Sequence, residues 1–257
     1  MLVILSPSKD MRVASLLQPD VLKPSYPEYL SKASELIAVL RNVHPDRLPG
    51  LMNISKKLAE QTLLRIYAWN SNHSLDNACS SILAFTGEAF RGLDAQTLPT
   101  ADLIYSQSVL RILSGLYGVL KPLDLMQEYR LEMATKIDAL DNRSLYSYWG
   151  NGVTASLKRA IEKSPGQKVL VNLASAEYSS VIRFNDLTFP VIAPVFKEEK
   201  NGKLKTVVVY TKRARGLMTR FIIENRIKKC EEIKAFTDDG YYFSNQLSDD
   251  GNWVFIR

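Results

Sequence analysis

The chain opens on a short apolar run, Leu2-Val3-Ile4-Leu5, that breaks off at Ser6-Pro7. Proline lacks the N–H a sheet ladder needs, so the run reads as a buried strand that ends there. From that point the spacing turns helical for much of the chain. Pro27–Arg41 places Leu30, Ala33, Leu36, Ile37 and Leu40 on one stripe. Further helices are expected over Ser55–Trp69, from Leu75 through Leu83, over Ala101–Leu113 and over Leu145–Glu162. Strand patterns return with Lys168–Asn172. Pro190–Lys197 and Leu204–Thr211 flank the hairpin signal Asn201-Gly202, and Tyr241–Ser244 pairs with Trp253–Ile256 across an Asp-Gly turn. A first strand, a block of helices and then more strands predict an α/β fold: a mixed β-sheet covered by helices. There is no internal repeat, no low-complexity segment and no linker-like stretch. A single domain over residues 1–257, with an elaborated helical insertion, is the expectation.

Composition narrows the function classes. The chain has 257 residues, 46% of them hydrophobic, enough for one sizeable core. No apolar run approaches the roughly 18–20 residues of a membrane span. The N-terminal run is too short for a signal peptide and lacks a basic lead-in, so a cytoplasmic, membrane-free protein is expected. His44, His73, Cys79 and Cys230 are the only histidines and cysteines, and none share metal-ligand spacing. No metal and no cofactor is expected. The formal net charge is +6. It concentrates between Lys197 and Lys229, where eleven Lys or Arg face three Glu. Such a segment is either a solvated basic face or a surface that attracts phosphate.

Two strand ends carry polar clusters. The first strand runs into Ser6-Pro7-Ser8-Lys9, and Val169–Val171 runs into Asn172-Leu173-Ala174-Ser175-Ala176-Glu177-Tyr178. Ligands of open α/β sheets bind beyond the carboxyl ends of strands. If the two strands are neighbours, these residues share a pocket; otherwise they are turn and cap residues, with Ser175 an N-cap. Arg130 and Glu132 stand two apart and share a face of an extended segment, as an ion pair or an anion fork. Lys212 and Arg215 lie near the expected start of a helix whose stripe is Ala214, Leu217, Met218, Phe221 and Ile222. Cations there oppose the helix dipole unless an anion is nearby. The candidate cleft is therefore Ser6, Lys9, Arg130, Glu132, Asn172, Ser175, Glu177, Tyr178, Lys212 and Arg215.

A second group points to nucleic acid. Ser114-Gly115-Leu116-Tyr117-Gly118 follows a helical pattern, and its glycines bracket a tight turn flanked by Arg111 and Lys121. This resembles a helix-hairpin-helix, whose bare turn offers N–H groups to a DNA phosphate; a plain αα-corner fits the pattern as well. Arg213 and Arg220 fall seven apart on the polar side of the helix that carries Lys212 and Arg215. These residues are the candidate DNA contacts.

Taken together, the motifs resemble the YaaA family of peroxide-stress proteins. Ser6-Pro7-Ser8-Lys9 is similar to the family's Ser-Pro-Ala-Lys opening, and Leu113–Asp124 to its central signature. Tyr129–Met133, Asn172–Ser175 with Glu177-Tyr178, Lys212–Met218 with Arg220–Ile222, and Gly240–Phe243 follow in family order. The resemblance implies a single-domain α/β fold and DNA binding through a positive cleft and a helix-hairpin-helix; since such contacts read no base edges, double-stranded DNA without strong sequence preference is the expected partner. It also implies a role in peroxide stress by limiting unincorporated iron. A monomer is expected. The competing reading is an enzyme that uses the polar cleft on a small or phosphate-bearing substrate.

Overall fold

The computed structural model describes residues 1–12, 22–137 and 144–257. Strand β1 (Leu2–Leu5) is followed by helix α1 (Leu30–Arg41), the single turn α2 (Leu48–Met52) and α3 (Lys56–Ala68). Next come β2 (Cys79–Ser80), α4 (Ser81–Ala84), α5 (Glu88–Leu93) and α6 (Thr100–Val109), which lead to β3 (Leu110–Ser114), β4 (Gly118–Leu120) and β5 (Leu125–Met126). The long α7 (Leu145–Lys163) returns the chain to β6 (Leu170–Leu173), the short α8 (Ala176–Ser179), β7 (Val191–Lys200) and β8 (Lys203–Lys205). Helix α9 (Val208–Glu224) and strands β9 (Tyr242–Ser244) and β10 (Asn252–Ile256) follow.

Eight strands form one mixed sheet in the order β4-β3-β1-β6-β7-β10-β9, with β8 against β7; β2 and β5 pair separately. The centre is parallel: β1 lies between β3 and β6, β6 pairs with β7, and β7 with β10. All four residues of β1 are buried, as expected of a parallel strand covered on both faces. Helix α3 begins where the Ser55 hydroxyl accepts the Leu58 N–H at 3.3 Å, an N-cap that satisfies one orphan donor. Helix α7 is capped in the same way by Ser144 and buries Leu145, Trp149, Val153, Leu157 and Ile161 at four-residue spacing.

Several expectations need correction. The expected helix over Leu75–Leu83 is largely absent: Cys79-Ser80 is extended and pairs with Met126-Leu125, leaving only the turn Ser81–Ala84 helical. The helix expected to reach Leu113 stops at Val109, and Leu110–Ser114 joins the sheet beside β1. Burial decides it, since an apolar run of that length fits a helix or a covered strand equally well. Asn201-Gly202 does form the β7–β8 turn, with φ of 55° and 69°. The second strand, however, ends at Lys205, and the chain is helical from Val208 onward. Lys212 and Arg215 consequently sit in the second and third turns of α9, away from the end where the dipole argument applies.

The helix-hairpin-helix is also corrected. Residues 110–120 form an antiparallel β-hairpin, β3–β4, at the sheet edge, with Leu113 opposite Val119. Ser114, Leu116 and Tyr117 are fully buried. The Tyr117 N–H is taken by the Ser114 hydroxyl at 2.9 Å and the Val119 N–H by the Tyr117 carbonyl at 2.8 Å. Gly118 has φ of 70°, and a Cβ there would lie 2.6 Å from the Trp149 ring. The Gly-x-x-Gly spacing thus serves packing: Trp149 lies across the turn and donates its indole N–H to the Gly115 carbonyl at 2.8 Å.

Tyr117 carries the hairpin into a buried polar network. Its hydroxyl accepts from the Trp69 indole at 2.8 Å and from the Gln127 main-chain N–H at 3.2 Å. It also lies 3.1 Å from Nε2 of His73, whose Nδ1 faces the Gln127 side-chain amide nitrogen at 3.3 Å. Burial pushes the His73 pKa down and so favours the neutral ring. An unfolded chain protonates this histidine below its ordinary pKa of about 6.5, whereas the folded chain resists. Stability is therefore full above that value and is lost as the pH falls through it. Urea unfolding between about pH 5 and 8 should show a decline below about pH 6.5, approaching 1.4 kcal/mol per pH unit for this one proton. The decline should flatten in His73→Gln.

Candidate functional site

Pairing of β1 with β6 sets Leu5 opposite Leu173, so the two strands leave the sheet side by side. The chain runs from β1 to β3 on one flank and later to β6 on the other. This reversal of strand order is a topological switch point, and the crevice beyond its carboxyl ends is where open α/β sheets hold ligands. The two exits are tied together: the Ser6 hydroxyl accepts the Ser175 N–H at 2.8 Å and donates to the Ser175 hydroxyl at 3.2 Å. Ser175 precedes α8 but makes no side-chain cap bond.

A cleft of about 280 Å³ opens above this junction. Leu5 and Leu173 form its floor. One wall is Ser6–Asp10, and the facing wall is Gly87–Arg91 at the start of α5. The two walls touch, since a Cβ on Gly87 would stand 2.4 Å from the Ser8 hydroxyl oxygen. Glu177 and Tyr178 of α8 and Lys212 and Arg215 of α9 complete the lining. The position of α9 depends on a close crossing with α5. A Cβ on Gly216 would fall 1.7 Å from the Ala89 carbonyl, and one on Gly92 would fall 2.2 Å from the Arg213 carbonyl. Backbone meets backbone there, and this brings Arg215 up to the α5 wall.

Charges in the cleft are unevenly satisfied. Lys9 pairs with Glu132 at 2.8 Å, and Glu132 also reaches Arg130 at 3.4 Å. Glu88 pairs with Arg91 at 2.7 Å. Glu177 accepts the Ala134 N–H at 3.4 Å. Lys212 and Arg215 have no ion pair among the described residues. Arg215 is largely buried, its Nε lacks any hydrogen-bond partner, and desolvation pushes its guanidinium below the usual arginine range. The Tyr178 hydroxyl moves the other way, raised by burial and by the neighbouring Tyr129, Glu177 and Glu132. It stays protonated and can only donate or accept a hydrogen bond.

Of the residues singled out for a cleft, the structure brings together Ser6, Lys9, Ser175, Glu177, Tyr178, Lys212 and Arg215. Glu132 stands behind Lys9 as its partner, with Arg130 behind Glu132. Asn172 does not line the cleft; its side chain accepts the Ala174 N–H at 3.0 Å and shapes the turn that follows β6. The α5 wall was missed. Its signal was the small residues Gly87, Ala89 and Gly92: Gly87 admits Ser8, and Ala89 and Gly92 let a second helix approach.

The residues singled out for DNA are dispersed. Ser114, Gly115, Leu116, Tyr117 and Gly118 are buried. Arg111 spends its Nη1 on the Gln107 and Leu110 carbonyls, at 2.8 and 2.6 Å. It lines a different cavity, beside Lys121. Arg220 holds the Leu93 and Asp94 carbonyls and the Thr97 hydroxyl, and pairs with Glu224 at 2.8 Å. It braces α9 against the end of α5 rather than facing a ligand. Lys212 and Arg213 are exposed. No group of three or more His, Cys, Asp or Glu among the described residues stands ready to hold a metal ion. No helix among them is long and apolar enough to cross a membrane.

An open α/β sheet with a polar crevice at its switch point, walled by two helices in backbone contact, defines the class of protein. The chain belongs to the family described as Peroxide stress protein YaaA, whose model matches residues 1–247. A UPF0246 protein of Paraburkholderia phytofirmans is 41% identical over 258 residues, covering 100% of this chain and 98% of its own length.

Arg215 is a desolvated cation with no ion pair among the described residues, and such a group costs stability when no anion is bound. Arg215→Met keeps the length of the side chain and removes the charge. It should raise the unfolding free energy of the ligand-free protein, by about 1–3 kcal/mol. Chemical denaturation of both proteins in buffer free of phosphate and sulfate measures this; an unchanged or lowered stability would show that Arg215 is already neutralised.

Proposed function

We propose that the protein serves the response to peroxide by binding a small phosphate-bearing substrate in the cleft at the β1–β6 switch point. The observation that carries this reading is Arg215, a largely buried guanidinium whose Nε has no hydrogen-bond partner and which has no ion pair among the described residues, on the same cleft as the exposed ammonium of Lys212. A phosphate supplies the acceptors that the guanidinium fork lacks, and charge-assisted bonds of this kind are the strong ones. Ser6 and Ser175 add hydroxyl groups to the cleft lining, where a bound oxygen can replace their mutual hydrogen bond. Limitation of unincorporated iron, implied by the family resemblance, enters as a consequence of what the cleft binds. Millimolar inorganic phosphate and pyrophosphate should raise the unfolding temperature of the wild type, as ligand binding to the folded state requires. They should leave Arg215→Met unshifted. A wild type indifferent to both anions would remove the proposal.

Contact with duplex DNA is a second reading, favoured by one observation. Lys200, Lys203 and Lys205 on the β7–β8 hairpin, together with Lys212 and Arg213 on α9, are exposed and lack ion pairs among the described residues. This edge would meet phosphates and read no bases. Each phosphate neutralised adds about 0.9 to the slope of log affinity against log salt. Lys203→Ala with Lys205→Ala should therefore reduce that slope by about 1–2. Equal slopes in a salt titration of wild type and double variant would exclude the hairpin as the DNA face.

A further inference from the structure

The signs of the groups facing the cleft narrow its occupant. Resting on the phosphate-binding reading above, we propose that the cleft takes a nucleoside monophosphate. Its phosphate lies on Arg215 and Lys212, and its sugar and base lie between the α5 wall and the Ser6–Asp10 segment. Three carboxylates, Asp10, Glu88 and Glu177, line the same space as the two free cations. A bare polyanion brought along this cleft would meet all three. A molecule with one anionic end and hydroxyl or amino donors at the other meets both signs favourably. Glu88 and Glu177 each have acceptor sites to spare, because a carboxylate offers about four lone-pair directions and the structure uses few of them.

Apolar surface supplies the second argument. Pro7, Ala89 and Phe90 stand on the facing walls above the Leu5–Leu173 floor. Phosphate alone has no use for such surface, whereas a flat ring gains from it. Size supplies the third. Sites that enclose a small organic ligand run from about 300 to 1,000 Å³, and a cleft of about 280 Å³ lies just under the small end of that range, which limits the occupant to one small molecule such as a single nucleotide. A duplex-binding face instead buries about 1,000–2,500 Å² of protein. The switch-point crevice is also where open α/β sheets hold nucleotides as a class. A sugar phosphate shares the anionic end and the hydroxyl groups, so the base is the distinguishing part.

Calorimetric titration of the wild-type protein with the four ribonucleoside monophosphates, ribose 5-phosphate, the four nucleosides and inorganic phosphate tests the assignment. At least one monophosphate should bind about tenfold or more tightly than both ribose 5-phosphate and its own nucleoside. Arg215→Met should reduce that affinity to the nucleoside's. Ala89→Leu, which fills the ring space, should reduce it to that of ribose 5-phosphate and leave ribose 5-phosphate itself unaffected. Equal binding of ribose 5-phosphate and every monophosphate would overturn the nucleotide assignment and leave the phosphate reading standing. Absence of binding by every phosphorylated probe, or monophosphate binding untouched by Arg215→Met, would overturn both. The wild-type series decides between these outcomes even if the Ala89 variant fails to fold.

Discussion

The parallel pairing of β1 with β6 is the constraint on which the rest depends. It aligns Leu5 with Leu173 and releases two polar segments at one point, where the Ser6 hydroxyl bonds both the main chain and the side chain of Ser175. Without that register the two segments would leave the sheet at different heights, and the same residues would be ordinary turns. The pairing is secured from beneath, since β1 is buried along its whole length. Slippage by one residue would exchange the faces of an apolar strand and break the Ser6–Ser175 bonds together.

A second constraint acts from the side. Helices α5 and α9 approach until carbonyl oxygens face glycine Cα atoms. Side chains at Gly92 and Gly216 would hold the helices apart and carry Arg215 away from the α5 wall. Arg220 then locks the geometry by gripping the carbonyls at the end of α5. The basic helix is therefore divided by depth. Its deep cations serve the cleft and the helix crossing, and only its outer ones face water. Net charge along the sequence cannot distinguish these, because it counts Arg215, Arg220 and Lys212 alike.

How far the site was legible in the sequence follows from the range of the interactions involved. The strand ends at Ser6 and Asn172 were legible, because an apolar run stopping at a polar cluster is a local pattern. So were α1, α3 and α7, whose stripes repeat over three or more turns. The β3–β4 hairpin was misread because Leu110–Ser114, five residues interrupted by Arg111, is too short to show either period clearly. What makes it a strand is β1, more than one hundred residues away. The glycines of its turn looked like an opening for phosphate, yet they admit Trp149 of α7. A Gly-x-x-Gly spacing signals close approach and leaves the approaching group unnamed. The α5 wall escaped notice because a six-residue helix has too few turns to show a stripe, and its contribution lies in the small size of its residues.

The two cationic surfaces of the molecule differ in the physics by which they attract anions. Lysines on the β7–β8 hairpin are exposed, so their pull on phosphate is screened within about 8 Å at physiological salt. They can concentrate anions at the surface but discriminate weakly among them. Arg215 is the opposite case. It has lost most of its water, so a bound anion restores hydrogen bonds that the folded protein otherwise forgoes, and salt screens little of that interaction. The cost of keeping such a group unpaired is borne by the folded state as a whole, and binding of the proposed anion would offset it. A side chain kept merely for charge would sit at the surface, where it costs almost nothing. The burial of Arg215 beside carboxylates and an apolar wall suits the proposed ligand with two different ends.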